Sequence, residues 1–153
     1  MAGKIDENIP LEINTFYIDN TLCGIDIGYI REINKDMKLT RVPGSPSYVM
    51  GVLNLRGEIV SIIDLDAKFG LGEAITGNES RNVVVKFKEE SIGLRVDCVS
   101  DVYDINRREV EPPPANVRGI EGKYFEGVFK TEDKLIAILN INEVLKMEES
   151  QSS

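Results

Sequence analysis

Residues 48–65 read YVMGVLNLRGEIVSIIDL, and this stretch decides what kind of fold the chain builds. Two apolar runs flank Arg56-Gly57-Glu58, a polar interruption whose glycine can take the positive φ of a tight reversal. The segment reads as a β-hairpin: Val52 to Leu55 rises, the three residues turn, and Ile59 to Ile63 returns. Apolar Ile59, Val60, Ile62 and Ile63 occupy both faces of the return strand, which predicts a central, buried position. Asp64 then reads as the N-cap of a short helix, LDAKFG, stopped by Gly70 and Gly72.

The hairpin occurs twice. Tyr48-x-x-Gly51-Val52 matches Tyr124-x-x-Gly127-Val128, displaced by 76 positions (48 to 124). At the same displacement and without a gap, IVSIIDL from Ile59 overlies LIAILNI from Leu135. A second block, GIDIGYIREI from Gly24, resembles GLRVDCVSDV from Gly93, displaced by 69 (24 to 93). It lays Ile27 on Val96, Ile30 on Val99 and Ile33 on Val102. The difference between the two displacements falls around Pro112-Pro113-Pro114. Two blocks in the same order indicate an internal duplication.

Each half then holds about five short strands. EINTFYID and TLCGIDI form one hairpin around Asp19-Asn20, while GYIREINK fits either a helical turn or a bent strand. NVVVKF and IGLRVDCV form another around Lys88 to Ser91, and a last hairpin, GVFKTEDKLIAIL, runs into the helix INEVLKM. Short strands with tight turns suggest small barrels, and halves of this size are expected to share a core.

Composition narrows the function. The 153 residues carry a formal charge of −8, which argues against nucleic acid or an anionic membrane as partner. No apolar run approaches the roughly 18 residues of a membrane span, and the N-terminus does not read as a signal peptide. The chain has no histidine, so Ser-His and Cys-His nucleophile pairs and histidine metal sites are excluded. Cys23 and Cys98 form no CxxC and read as small buried side chains of a reduced, cytoplasmic protein. Asp64-x-Asp66 is the only tempting carboxylate pair, and its spacing suits a helix entry better than a metal or catalytic site.

VPGSPSYVMGVLNLRGEIVSIIDL resembles the signature of the CheW family of chemotaxis coupling proteins. GIDIGYIREI before it, and VDCVSDV and EGVFKTEDKLIAILNINEVL after it, match in order, so the resemblance covers about residues 12–147. Ser61 departs from the family's usual proline. The resemblance implies a mostly β fold of two SH3-like five-stranded barrels with short helices, one of them C-terminal. It implies one domain, 12–147, of two subdomains at about 12–71 and 82–147, with exchange of strands between them left open. Residues 72–81 are the expected linker, and 1–11 and 148–153 the expected flexible tails.

The implied function is non-enzymatic. CheW-like adaptors couple the cytoplasmic tips of chemoreceptors to the regulatory domain of the histidine kinase CheA. No cofactor or metal, no nucleic acid and no membrane insertion are implied, and the protein would reach membrane receptor arrays through its partners. A scaffold in a related receptor–kinase pathway is the alternative. The expected kinase-binding residues are Glu32, Met50, Gly51 and Arg56. The pair Glu32–Arg56 is also readable as a brace of the hairpin tip, and matched Gly51 and Gly127 as sites of close backbone approach. The expected receptor groove comprises Ile27, Ile30, Ile33, Val96 and Val99, any of which is equally readable as core.

Overall fold

The computed structural model describes residues 9–72, 74 and 76–146. Most of the expected tails, and positions 73 and 75 of the expected linker, lie outside these residues. The first strand begins earlier than the sequence suggested, so Pro10 and Leu11 belong to it.

Among the described residues, ten strands build two five-stranded sheets, and two more form a short ribbon. The first half supplies β1 (Pro10–Ile18), β2 (Thr21–Asp26), β3 (Ile30–Asn34), β4 (Val49–Leu55), β5 (Glu58–Asp64) and helix α1 (Leu65–Lys68). The second supplies β6 (Arg81–Phe87), β7 (Glu90–Val96), β8 (Cys98–Asn106), the ribbon β9 (Asn116–Val117) and β10 (Ile120–Glu121), then β11 (Phe125–Lys130), β12 (Leu135–Leu139) and α2 (Ile141–Val144). Ambiguous GYIREINK is both things in turn: a 3-10 turn at Ile27–Tyr29, capped by Asp26, and then β3.

The sheets run β11-β12-β2-β1-β8 and β3-β6-β7-β5-β4. Written from the opposite end, the first is β8-β1-β2-β12-β11, which repeats the second strand for strand. The pairing senses agree as well: antiparallel throughout, except for the parallel contacts β2 with β12 and β7 with β5. The duplication is therefore architectural. The contiguous split at 12–71 and 82–147 does not describe the sheets, because each half sends its first two strands to the other half's sheet.

Alternation explains why so many strands looked apolar on both faces. In β5, Val60 and Ile62 enter a small cluster with Leu53 and Val84, while Ile63 enters a larger one. In β12, Ile136 and Ile138 join Leu11, Ile13, Leu22 and Ile105, while Ala137 and Leu139 join the larger cluster. That larger cluster takes Phe16, Cys23 and Ile25 from one sheet and Val83, Leu94 and Val96 from the other. It is one core shared by both halves. The return strand β5 is interior to its sheet as expected, but Ile59 at its start is 62% exposed.

Two turns are tighter than the sequence suggested. Leu55 pairs directly with Glu58, leaving only Arg56 and Gly57 as loop, with φ of 53° and 86°. Positive φ at both central residues is the type I′ pattern that matches strand twist. The Lys88–Glu89 turn between β6 and β7 repeats it, with φ of 51° and 71°.

A loop returns to bond one edge strand of each sheet, yet neither ladder closes. The chain beyond β3 returns so that Thr40 and Val52 exchange backbone hydrogen bonds of 2.9 and 2.8 Å. Beyond β8, Glu111 and Val128 exchange two of 2.8 Å. The matched glycines sit beside these bridges. A Cβ on Gly51 would lie 2.6 Å from the Thr40 carbonyl oxygen, and one on Gly127 would lie 2.7 Å from that of Glu111. Both glycines also follow a register shift in their hairpins. Gly127→Ala is expected to cost about 1–3 kcal/mol through overpacking. Gly51→Ala should cost more, since its φ of 153° adds backbone strain. Urea denaturation checks both, as a lower midpoint with unchanged slope.

Candidate functional site

The hairpin tip meets β3 through side chains, on the same side as the Thr40–Val52 bridge. Arg56 donates from Nη1 to Glu32 Oε1 at 2.5 Å, and Asn34 Nδ2 donates to Glu32 Oε2 at 3.2 Å. One residue along, Arg31 Nη1 donates to Glu58 Oε1 at 2.7 Å and to Ser91 Oγ at 2.8 Å. Two ion pairs of opposite polarity thus tie β3 to the β4–β5 hairpin. The Arg56 guanidinium, with help from Asn34, holds the Glu32 carboxyl below the usual carboxylate range. Arg31 does the same to Glu58.

The expected kinase-facing residues separate into two kinds. Arg56 is 67% exposed and projects from the tip, and Glu32 lies behind it as its anchor. Met50 is half-buried and packs against the Leu53–Val60–Ile62–Val84 cluster, leaving part of its thioether side chain on the surface. Gly51 is buried beneath Thr40 and offers no contact surface, which corrects the expectation that it meets a partner. Its place is fixed by backbone approach.

The groove set also divides. Val96 is fully buried at the end of β7 in the shared core, so it is not a groove residue. The reason is topological: after one residue, Asp97, the chain leaves one sheet for the other, and Val96 lies inside that crossing. Ile30 and Val99 rest against the shared core with part of each side chain outside. Ile27 is half-buried in the 3-10 turn, and Ile33 is 37% exposed on β3. Val102, which the repeat lays over Ile33, is 52% exposed on β8, and Tyr29 is 36% exposed. Val102 and Ile33 thus match in exposure as well as in their place in the repeat.

A cleft of about 820 Å³ escaped sequence reasoning altogether. Ile59, Phe87, Ile92 and Val49 line one side, and Leu145 with Lys146 beyond α2 lines the other. Its walls come from segments far apart in sequence, so no local pattern announces it.

Asp64 and the two cysteines have structural explanations. Asp64 Oδ1 accepts from the Asp66 and Ala67 backbone at 3.0 and 3.4 Å, and Oδ2 accepts from Ala74 at 3.1 Å, which makes it a helix cap. Cys23 is buried, which pushes its thiol far up and makes it inert. Cys98 is only half-buried, so it departs from the expected burial.

The CheW-like domain profile matches residues 12–149. The chain is 33% identical over 138 residues to the chemotaxis protein CheW of Bacillus subtilis, covering 90% of this chain and 88% of that one. It is 33% identical over 141 residues to the chemotaxis protein CheW of Helicobacter pylori, covering 92% and 85%. Among solved structures, the scaffolding protein TtCheW from Thermoanaerobacter tengcongensis superposes with a TM-score of 0.82 at 36% identity, covering 90% of this chain and 89% of that one.

The geometry at the tip predicts a specific titration. Arg56→Ala should return the Glu32 carboxyl toward the ordinary glutamate range, read by carboxyl carbon NMR against pH. A depressed carboxyl stabilises the fold above its unfolded value and loses that contribution as pH falls through the folded one. Because the pair is exposed, global stability should change by less than about 1 kcal/mol.

Proposed function

The chain belongs to the CheW-like domain family, and from that premise we propose that it is a chemotaxis adaptor coupling chemoreceptors to the histidine kinase CheA. The observation that carries this reading is the match of the family's domain across residues 12–149, together with likeness to a scaffolding protein over nine-tenths of the chain. Such a protein works by holding partners together, without catalysis. Each curled sheet is then an SH3-like barrel whose ladder is left open at one seam. Among the described residues no helix is long and apolar enough to cross a membrane, which suits an adaptor that reaches receptor arrays through its partners in the cytoplasm.

The kinase regulatory domain meets the β4–β5 tip, with Arg56 as the projecting contact and Met50 as an adaptable apolar flank. Fixing Arg56 on Glu32 reduces the side-chain entropy lost on binding. The receptor tip meets Ile27, Ile30, Ile33 and Val99, whose partly exposed side chains suit the apolar stripe of a helical hairpin. Affinity capture from the source cell, with mass spectrometry, is expected to recover a histidine kinase and a receptor together. Recovery of neither rejects the adaptor reading.

Two substitutions test the surfaces separately. Arg56→Glu should weaken the kinase regulatory domain about tenfold or more, equivalent to about 1.4 kcal/mol. Ile33→Ala should weaken a soluble receptor fragment by about 1 kcal/mol while leaving kinase affinity intact. Calorimetric titration of the folded variants reads both, and unchanged affinities would remove these faces from the proposal.

A further inference from the structure

Asp66 presents a problem that adaptor function does not explain. It is 8% exposed, and its Oδ1 has no hydrogen-bond partner among the described residues. A buried carboxylate left in that state is costly, and the usual escape is to remain protonated.

The surroundings make ionisation harder still. Asp64 stands two residues before it, already committed to capping α1. Asp97 occupies the single position between β7 and β8, where the chain crosses from one sheet to the other. Asp97 is itself a hub: its Oδ1 accepts from the fully buried Arg95 at 2.6 Å, and its Oδ2 accepts from the Asp19 backbone at 2.5 Å. Its own backbone N–H donates to the Tyr17 carbonyl at 2.9 Å. The Asp19 carboxylate, in the β1–β2 turn, adds further negative charge, and the Cys23 thiol on β2 lies within range of Asp66. Against Asp64, Asp97 and Asp19, Arg95 is the one cation acting on Asp66 among the described groups, and it is already engaged by Asp97 and Ser80.

We propose that Asp66 is a proton-binding site at the seam of the two sheets, which ties the firmness of that seam to ambient pH. With the proton on, Asp66 is a neutral buried group in the first turn of α1. With the proton off, its charge repels Asp97, the residue that joins Arg95 of one sheet to the β1–β2 turn of the other. Helix α1 follows, since the Asp66 carbonyl accepts the Leu71 backbone N–H at 2.8 Å and so holds the chain that leaves the helix.

Burial first, then Asp97 and Asp64, push the Asp66 carboxyl from the ordinary 3.8 up to about 6. For an acid whose folded value is raised, the contribution to stability is full below the unfolded value. It declines as pH rises through the interval to the folded one. The seam is therefore firmest below the unfolded value and weakest above the folded one, opposite in sign to Glu32.

Two measurements decide the matter. Carboxyl carbon NMR of the intact chain should place the Asp66 midpoint near 6, and a midpoint near 4 would overturn the proposal. Urea unfolding of the wild-type chain and Asp66→Asn between pH 5 and pH 7.5 should show the ratio of their unfolding constants, wild type over variant, rising about tenfold. A ratio that stays constant would overturn it equally. If Asp66→Asn fails to fold, the NMR titration of the unaltered chain decides alone.

Discussion

The apolar cluster packed between the two sheets is what the rest of the molecule depends on. Phe16, Cys23 and Ile25 enter it from one side, and Val83, Leu94 and Val96 from the other. Because each half lends its first two strands to the opposite sheet, neither half can complete a ladder alone. The two halves must fold together, as a chain of this size with modest individual cores would require. Removing either half would strand both an unpaired sheet edge and one face of the shared cluster.

Strand exchange also dictates where charge and backbone are stressed. The chain crosses between sheets twice, once through the 3-10 turn at Ile27–Tyr29 and once through the single residue Asp97. The first crossing is roomy and leaves Ile27 at the surface. The second is abrupt, and there the buried Arg95 donates to Asp97. Equivalent sequence positions consequently differ in environment: Ile27 is half-buried, whereas Val96, its counterpart in the repeat, is core.

Contacts between β3, the loop after it and the β4–β5 hairpin then shape one outer surface. Edge strands β3 and β4 are far apart in pairing order, yet Thr40 bridges to Val52 and Glu32 reaches Arg56 across the opening. The tip is thereby held as a fixed projection, suited to an adaptor whose work is presentation. Gly51 serves this arrangement from inside, by letting two backbones approach.

The sequence by itself determined a great deal. Periodicity, turn residues and a duplication visible at two constant displacements gave the β class, the hairpins, the helix caps and the shared core. The family motifs around Asn54-Leu55-Arg56-Gly57 then pointed to an adaptor. These features are local, so a linear pattern carries them. Tertiary structure alone decided which strands pair across the halves, because alternating apolar residues suit several partners equally well. It also decided that Val96 is core, that Ile59 is exposed, and that the buried Asp66 Oδ1 has no hydrogen-bond partner among the described residues. Burial is a property of what the rest of the chain places against a residue. Two residues with matching neighbours in sequence can therefore end on opposite sides of a surface.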